Sequence, residues 1–160
     1  MSKCCWCNLT PEEKRYLISE NQFWALYLAD EQSYVGQCVL ILQRHCHSLS
    51  ELTKDEWDVL HMMITKLETC QKMVLGADLC NWSCLMNSFF KNTNPDPHVH
   101  IHCRPRLKNP VVIGSKQYRD DEFGHHYDAQ KISQVTNEDR DLLFKQISEC
   151  WETLNLEGKI

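Results

Sequence analysis

No apolar run in this chain approaches the length that crosses a bilayer, and neither internal repeats nor low-complexity tracts interrupt it. A membrane-spanning helix and a repeat architecture are therefore excluded. Basic charge is in deficit: 17 Lys and Arg stand against 22 Asp and Glu, a net charge of -5. Broad binding to nucleic acid needs a basic surface and is disfavoured, although a local basic patch is compatible with the total. Nor does Met1-Ser2-Lys3-Cys4 lead into the apolar core of a secretory signal, which points to a soluble, cytoplasmic protein. What remains is an ordinary globular composition, 42% hydrophobic and 24% charged, and the 160 residues are the size of a single domain spanning 1–160.

Ten cysteines would suggest a disulfide scaffold in a smaller secreted chain. A domain of this size buries a core without staples, and Cys70, Cys80, Cys84 and Cys150 lie among apolar residues as small core side chains. Only Cys4-Cys5-Trp6-Cys7 has chemically meaningful spacing. Thiolates two residues apart can each reach one tetrahedral zinc at about 2.3 Å, but they make only half a site. No βαβ pattern surrounds the pair, which argues against a thioredoxin-like dithiol.

Thr10-Pro11-Glu12-Glu13 reads as an N-cap, a first-turn proline and acidic residues opening a short helix. Strands are expected over residues 23–28 and 38–42, the second an unbroken apolar run suited to a strand covered on both faces. Thr53 and Glu56 have capping-box spacing, and Leu52 can staple onto Trp57. Trp57, Leu60, Ile64, Leu67 and Val74 then recur at helical spacing until Gly76. The remaining chain reads as a strand over 82–86, a polar loop over 87–97, a strand over 98–106 and irregular chain over 107–134. Thr136 opens a last helix presenting Leu142, Leu143, Ile147, Trp151 and Leu154 on one side. Strands joined by short connections favour antiparallel pairing, so the fold class is α+β.

The chemistry concentrates in His98-Val99-His100-Ile101-His102-Cys103-Arg104-Pro105-Arg106. Strict alternation places the three imidazoles on one strand face, neighbours roughly 6–7 Å apart, with Val99, Ile101 and Cys103 turned to the core. Chance alternation followed by Arg-Pro-Arg is improbable. One chemical reading is a catalytic metal held by the three histidines, for which Asp96 is the only adjacent acid. Another is attack on phosphorus by a neutral imidazole whose second nitrogen is held by an acceptor. That reaction needs donors around the phosphate oxygens. His102 and the amides of Asn87 and Asn94 could supply them, and Arg104 and Arg106 could hold a polyphosphate.

The segment from His98 to Arg106 resembles the histidine triad motif, in which histidines alternate with hydrophobic residues and a Pro-Arg pair often follows. The similarity covers roughly residues 4–106, with Asp30, Gly36, the apolar strand over 38–42 and Arg44-His45 in the family's order. Residues 123–128 also look like a segment of some small bacterial members. The resemblance implies an α+β fold with a five-stranded antiparallel sheet, a long central helix, a C-terminal helix after residue 107, and a homodimer formed across the long helix and neighbouring strand. It implies nucleotide hydrolase or transferase chemistry on dinucleoside polyphosphates, nucleoside phosphoramidates or adenylylated groups, with an adenine nucleotide as the expected partner. By position, His100 would be the nucleophile forming a nucleotidyl-histidine, His102 a phosphate contact, Asp30 the ribose ligand and Asn87 a phosphate-side donor.

Zinc-bearing branches of that family join an N-terminal Cys-x-x-Cys to two histidines. Here the resemblance implies a closed, structural zinc held by Cys4, Cys7, His45 and His98, with His47 the rival of His45. Gln37 stands where many members have histidine, and Thr93-Asn94-Pro95 replaces the usual residues before the triad. A nucleotide-binding protein with little turnover is the non-enzymatic alternative. His125 and His126 could reach the site, but a solvated loop is the simpler expectation.

Overall fold

In the computed structural model, which describes residues 4–154, five strands form one antiparallel sheet. They are β1 (Leu17–Glu20), β2 (Trp24–Leu28), β3 (Cys38–Leu42), β4 (Leu79–Ser83) and β5 (His100–Arg106), in spatial order β1-β2-β3-β5-β4. Helix α1 (Lys54–Leu75) connects β3 to β4. A hairpin of β6 (Val111–Ile113) and β7 (Lys116–Tyr118) follows β5, and α2 (Asn137–Thr153) comes after it. This is the α+β architecture expected from the sequence.

Every residue of β2 and β3 is buried, because both faces of the sheet are covered there. Trp24, Leu26, Leu28, Cys38, Leu40 and Leu42 share a core with Leu60, Leu67, Leu143 and Ile147 of the helices. Ala25, Tyr27, Val39 and Ile41 form a second cluster on the opposite face, packed under Trp6, Leu9 and Leu17. The N-terminal loop is therefore part of the sheet's covering layer, and β5 brings His100 and His102 alongside Ile41 and Val39 beneath it.

Helix α1 starts at the expected cap: Thr53 accepts from the Glu56 N–H, and the Glu56 carboxylate accepts from the Thr53 N–H. It stops at Gly76, whose φ of 68° is in the left-handed region. Its buried stripe runs through Leu60, Met63, Leu67, Cys70, Gln71 and Leu75, whereas Trp57 is 44% exposed. In α2, capped by Thr136, Leu143, Ile147 and Trp151 are buried and Leu142 is not. Among the described residues none of the ten cysteines forms a disulfide. Among the described residues no helix is long and apolar enough to cross a membrane.

Four expectations change. The cap at Thr10 forms, with the Glu13 N–H on Thr10 Oγ1 and the Glu13 carboxylate on the Thr10 N–H, but only turns follow it. One turn of helix is costly to nucleate, and Leu17 is drawn instead into pairing with Tyr27. The fourth strand lies upstream of the expected 82–86, because its partner on β5 ends the pairing at Ser83 opposite His102. Beyond Ser83 the chain turns into a 3-10 segment, Asn87–Lys91. The stretch expected to be irregular holds the β6–β7 hairpin, whose Gly114 has a φ of 59°. Finally, His98 and Val99 precede the β5 ladder rather than belonging to it.

Candidate functional site

That last difference separates the three histidines. His98 is fully buried, and its Nε2 donates to the Leu42 carbonyl at 2.7 Å. Its Nδ1 is thereby left without a proton and lies 3.3 Å from Cys4 Sγ, 3.4 Å from Cys7 Sγ and 3.2 Å from His45 Nδ1. His45 Nδ1 is also 3.3 Å from Cys7 Sγ. A tetrahedral ion bound at about 2.0–2.3 Å by nitrogen and sulfur needs ligand atoms roughly 3.3–3.8 Å apart, so these four residues fit one. His45, not His47, faces the cysteines. Its Nε2 sits 2.8 Å from Asp96 Oδ1 and 3.0 Å from His47 Nε2, which gives the cluster a carboxylate behind one ligand.

His100 and His102 remain on β5 with ring centroids 5.0 Å apart and planes nearly perpendicular. The His100 Nδ1 donates to the His98 carbonyl at 2.8 Å, so Nε2 carries the lone pair. Trp6, from the loop between the two cysteines, stacks on the His100 ring, and Phe89 approaches it edge-on at 6.0 Å. Burial pulls the His100 imidazole below its ordinary value. It pulls His102 down further, to about 4, helped by the charges of His100 and Arg104. His102 is therefore neutral near pH 7, and its buried Nδ1 has no hydrogen-bond partner among the described residues.

The alternative reading, one metal on all three triad histidines, has no matching group among the described residues. Among the described residues the groups able to hold an ion are Cys4, Cys7, His45 and His98, and His45, His47 and Asp96. His98 turns to the cysteines because it lies outside the ladder that fixes the other two.

Beside His102 opens a cavity of about 250 Å³ walled by Trp6, Leu9, Tyr27, Val39 and Ile41. Asp30 and Gln37 add polar groups to its lining. The Asp30 side chain is 71% exposed and faces Arg140 at 3.6 Å. Asn87 and Asn94 are exposed on the segment before β5. Gln37 is buried directly after Gly36, where an added Cβ would meet Leu75 Cδ1 at 2.3 Å. Glycine at φ 86° is what lets this turn lie against the end of α1.

The two arginines part company. Arg106 is 2% exposed, and every N–H of its guanidinium is engaged. Nε and Nη2 bind Asp120 at 2.6 and 3.2 Å; Nη1 donates to Asn81 Oδ1 and the His125 carbonyl, and Nη2 also to the Glu122 carbonyl. The expected role of Arg106 in holding substrate is thus corrected: no donor is free. It clamps residues 120–125 to the sheet, leaving His125 and His126 exposed. Arg104 instead donates to Ser83 Oγ at 2.8 Å, with its guanidinium 4.3 Å above the Tyr127 ring.

Sequence reasoning did not assign Trp6, Phe89, Ser83 or Tyr127 to the site. Trp6 alone had a legible signal, as the aromatic residue between two candidate ligands.

No protein-family model and no curated protein matches the sequence. Solved structures do match the fold. A hypothetical histidine triad nucleotide-binding protein from Sulfolobus tokodaii is 22% identical, over 98% of this chain and 96% of that one, with a TM-score of 0.66. A Zn-bound histidine triad family protein from Mycobacterium smegmatis is 15% identical, over 95% and 98%, with a TM-score of 0.62. A uridylyltransferase is 16% identical over 95% of this chain but only 46% of its own, with a TM-score of 0.65. The chain therefore has the histidine triad fold.

Proposed function

We propose that the protein is a nucleotide hydrolase or transferase of the histidine triad type, acting on nucleoside-phosphate-X substrates through a covalent nucleotidyl-histidine. The observation that carries this reading is the His100 tautomer: Nδ1 is committed to the His98 carbonyl, and Nε2 keeps the lone pair that a nucleophile needs. His100 Nε2 attacks phosphorus, the P–X bond breaks with its electron pair leaving on X, and water then cleaves the P–N bond to restore the imidazole. His102 contacts the phosphate oxygens. Asn87 and Asn94 donate to them from the preceding segment, and Asp30 binds the ribose hydroxyls. The apolar cavity under Trp6 and Tyr27 takes the base, adenine being the expected one.

Cys4, Cys7, His45 and His98 hold a structural zinc in this reading. Bound there, zinc crosslinks the N-terminal loop to the approach of β5 and takes no part in the reaction. Residues 1–160 act as one domain, in the cytoplasm, and pair as a homodimer across α1 and β4. Dinucleoside polyphosphates and nucleoside phosphoramidates are the substrate classes to screen. Hydrolysis of either that is abolished in H100A, with nucleotide binding retained, supports the reading. Hydrolysis surviving in a clean H100A preparation contradicts it.

A further inference from the structure

We propose that Arg104, braced by Ser83 and Tyr127, is an anion subsite selecting substrates whose leaving group carries an oxyanion, phosphate or sulfate, over those that release a neutral amine. The inference rests on the hydrolytic reading above and adds what X must be. Arg104 follows His102 by two residues on β5, so it lies on the same face roughly 6–7 Å further along the strand.

Its surroundings differ from those of Arg44, Arg106 and Arg140, each of which faces a carboxylate. Arg44 meets Glu56 at 2.5 Å, Arg106 meets Asp120 at 2.6 Å and Arg140 meets Asp30 at 3.6 Å. Among the described residues no carboxylate lies within ion-pair distance of Arg104. A half-buried guanidinium with no counter-anion is held partly out of water at a free-energy cost, which an anionic ligand offsets. Among the described residues only one Arg104 nitrogen, Nη1, is bonded, to Ser83 Oγ. The rest of the planar fork is left for the paired acceptors of a phosphate or sulfate.

The brace is itself built. Arg106 anchors the segment that carries Tyr127, and the Asp128 N–H donates to the Tyr34 hydroxyl at 2.7 Å, fixing Tyr127 against the Arg104 guanidinium. Tyr127 also lines an open cavity of about 630 Å³ with Asn81 and His126. A free amine would gain nothing from a cation placed there.

The test is a selectivity ratio. The full chain, R104Q and R104K are compared by kcat/KM on a dinucleoside triphosphate, a nucleoside 5′-phosphosulfate and a nucleoside 5′-phosphoramidate. R104Q is expected to lower kcat/KM for the oxyanion-bearing substrates at least about tenfold more than for the phosphoramidate, with R104K between. A selective loss on only one of the two oxyanion substrates assigns the subsite to that anion. Equal losses on all three, or no loss, overturn the proposal. Where R104Q does not fold, R104K carries the test, since it keeps the charge and stem but not the fork. Calorimetric binding of tripolyphosphate needs no turnover and separates this proposal from the hydrolytic reading. Binding weakened about tenfold in R104Q upholds the subsite even if no substrate is hydrolysed, and equal binding overturns it.

Discussion

Trp6 lies stacked on His100, with ring centroids 5.1 Å apart and planes 27° from parallel. The residue that covers the proposed nucleophile is thus carried on the same short loop as Cys4 and Cys7, two residues of the candidate metal cluster. Holding the loop and holding the cavity wall are one structural event. Removing the proposed zinc should therefore release Trp6. Chelation is expected to change the fluorescence attributable to Trp6, read as the difference between the protein and W6F, and to raise KM about tenfold or more. A chelated protein with unchanged Trp6 emission and unchanged KM would disconnect the cluster from the site.

The Asp96 carboxylate 2.8 Å from His45 Nε2 should fix the ring so that Nδ1 faces the cysteines. D96N is expected to weaken zinc binding by about 10–100-fold, measured by competition with a chromogenic chelator. Unchanged affinity would reduce Asp96 to a surface partner of His47.

Arg106 and Asp120 are both almost fully buried, with side-chain exposures of 3% and 4%. R106L leaves the Asp120 charge uncompensated and frees the segment beneath Tyr127. It should cost about 3–5 kcal/mol in urea denaturation. A loss below about 1 kcal/mol would show that the clamp is dispensable.

What the sequence disclosed follows from how local each signal is. The α1 cap at Thr53 and Glu56, the Gly76 stop and the buried run of β3 are set within a few residues, and all appear as expected. The four cluster residues also came together, although their roles rested on resemblance rather than on spacing. Non-local signals were hidden. Thr10 carries a sound cap, but the competing partner of Leu17 lies on β2. Arg106 has the composition of a phosphate ligand, and only the fold reveals Asp120, Asn81 and two carbonyls around it. Equal spacing made His98, His100 and His102 look equivalent; the ladder starting at His100 makes them different.

Glu56 gives a pH signature. The Arg44 hydrogen bond holds its carboxyl down at about 2, aided by the Thr53 N–H and opposed by burial. A folded-state value below the ordinary 4.5 contributes stability that is complete above pH 4.5 and is lost as pH falls toward about 2. E56Q should be less stable than the parent at pH 7, and the gap should close over that acidic window in parallel urea titrations. A gap that stays constant from pH 7 to the acid limit would contradict the pairing.

The most direct measurement of the central claim is acid- or base-quenched mass spectrometry during turnover of a nucleoside-phosphate-X substrate. The expected result is a base-stable, acid-labile nucleoside monophosphate adduct on the peptide containing His100, absent in H100A. Substrate turnover at full rate with no adduct on that peptide, matched by hydrolysis in H100A, would contradict it.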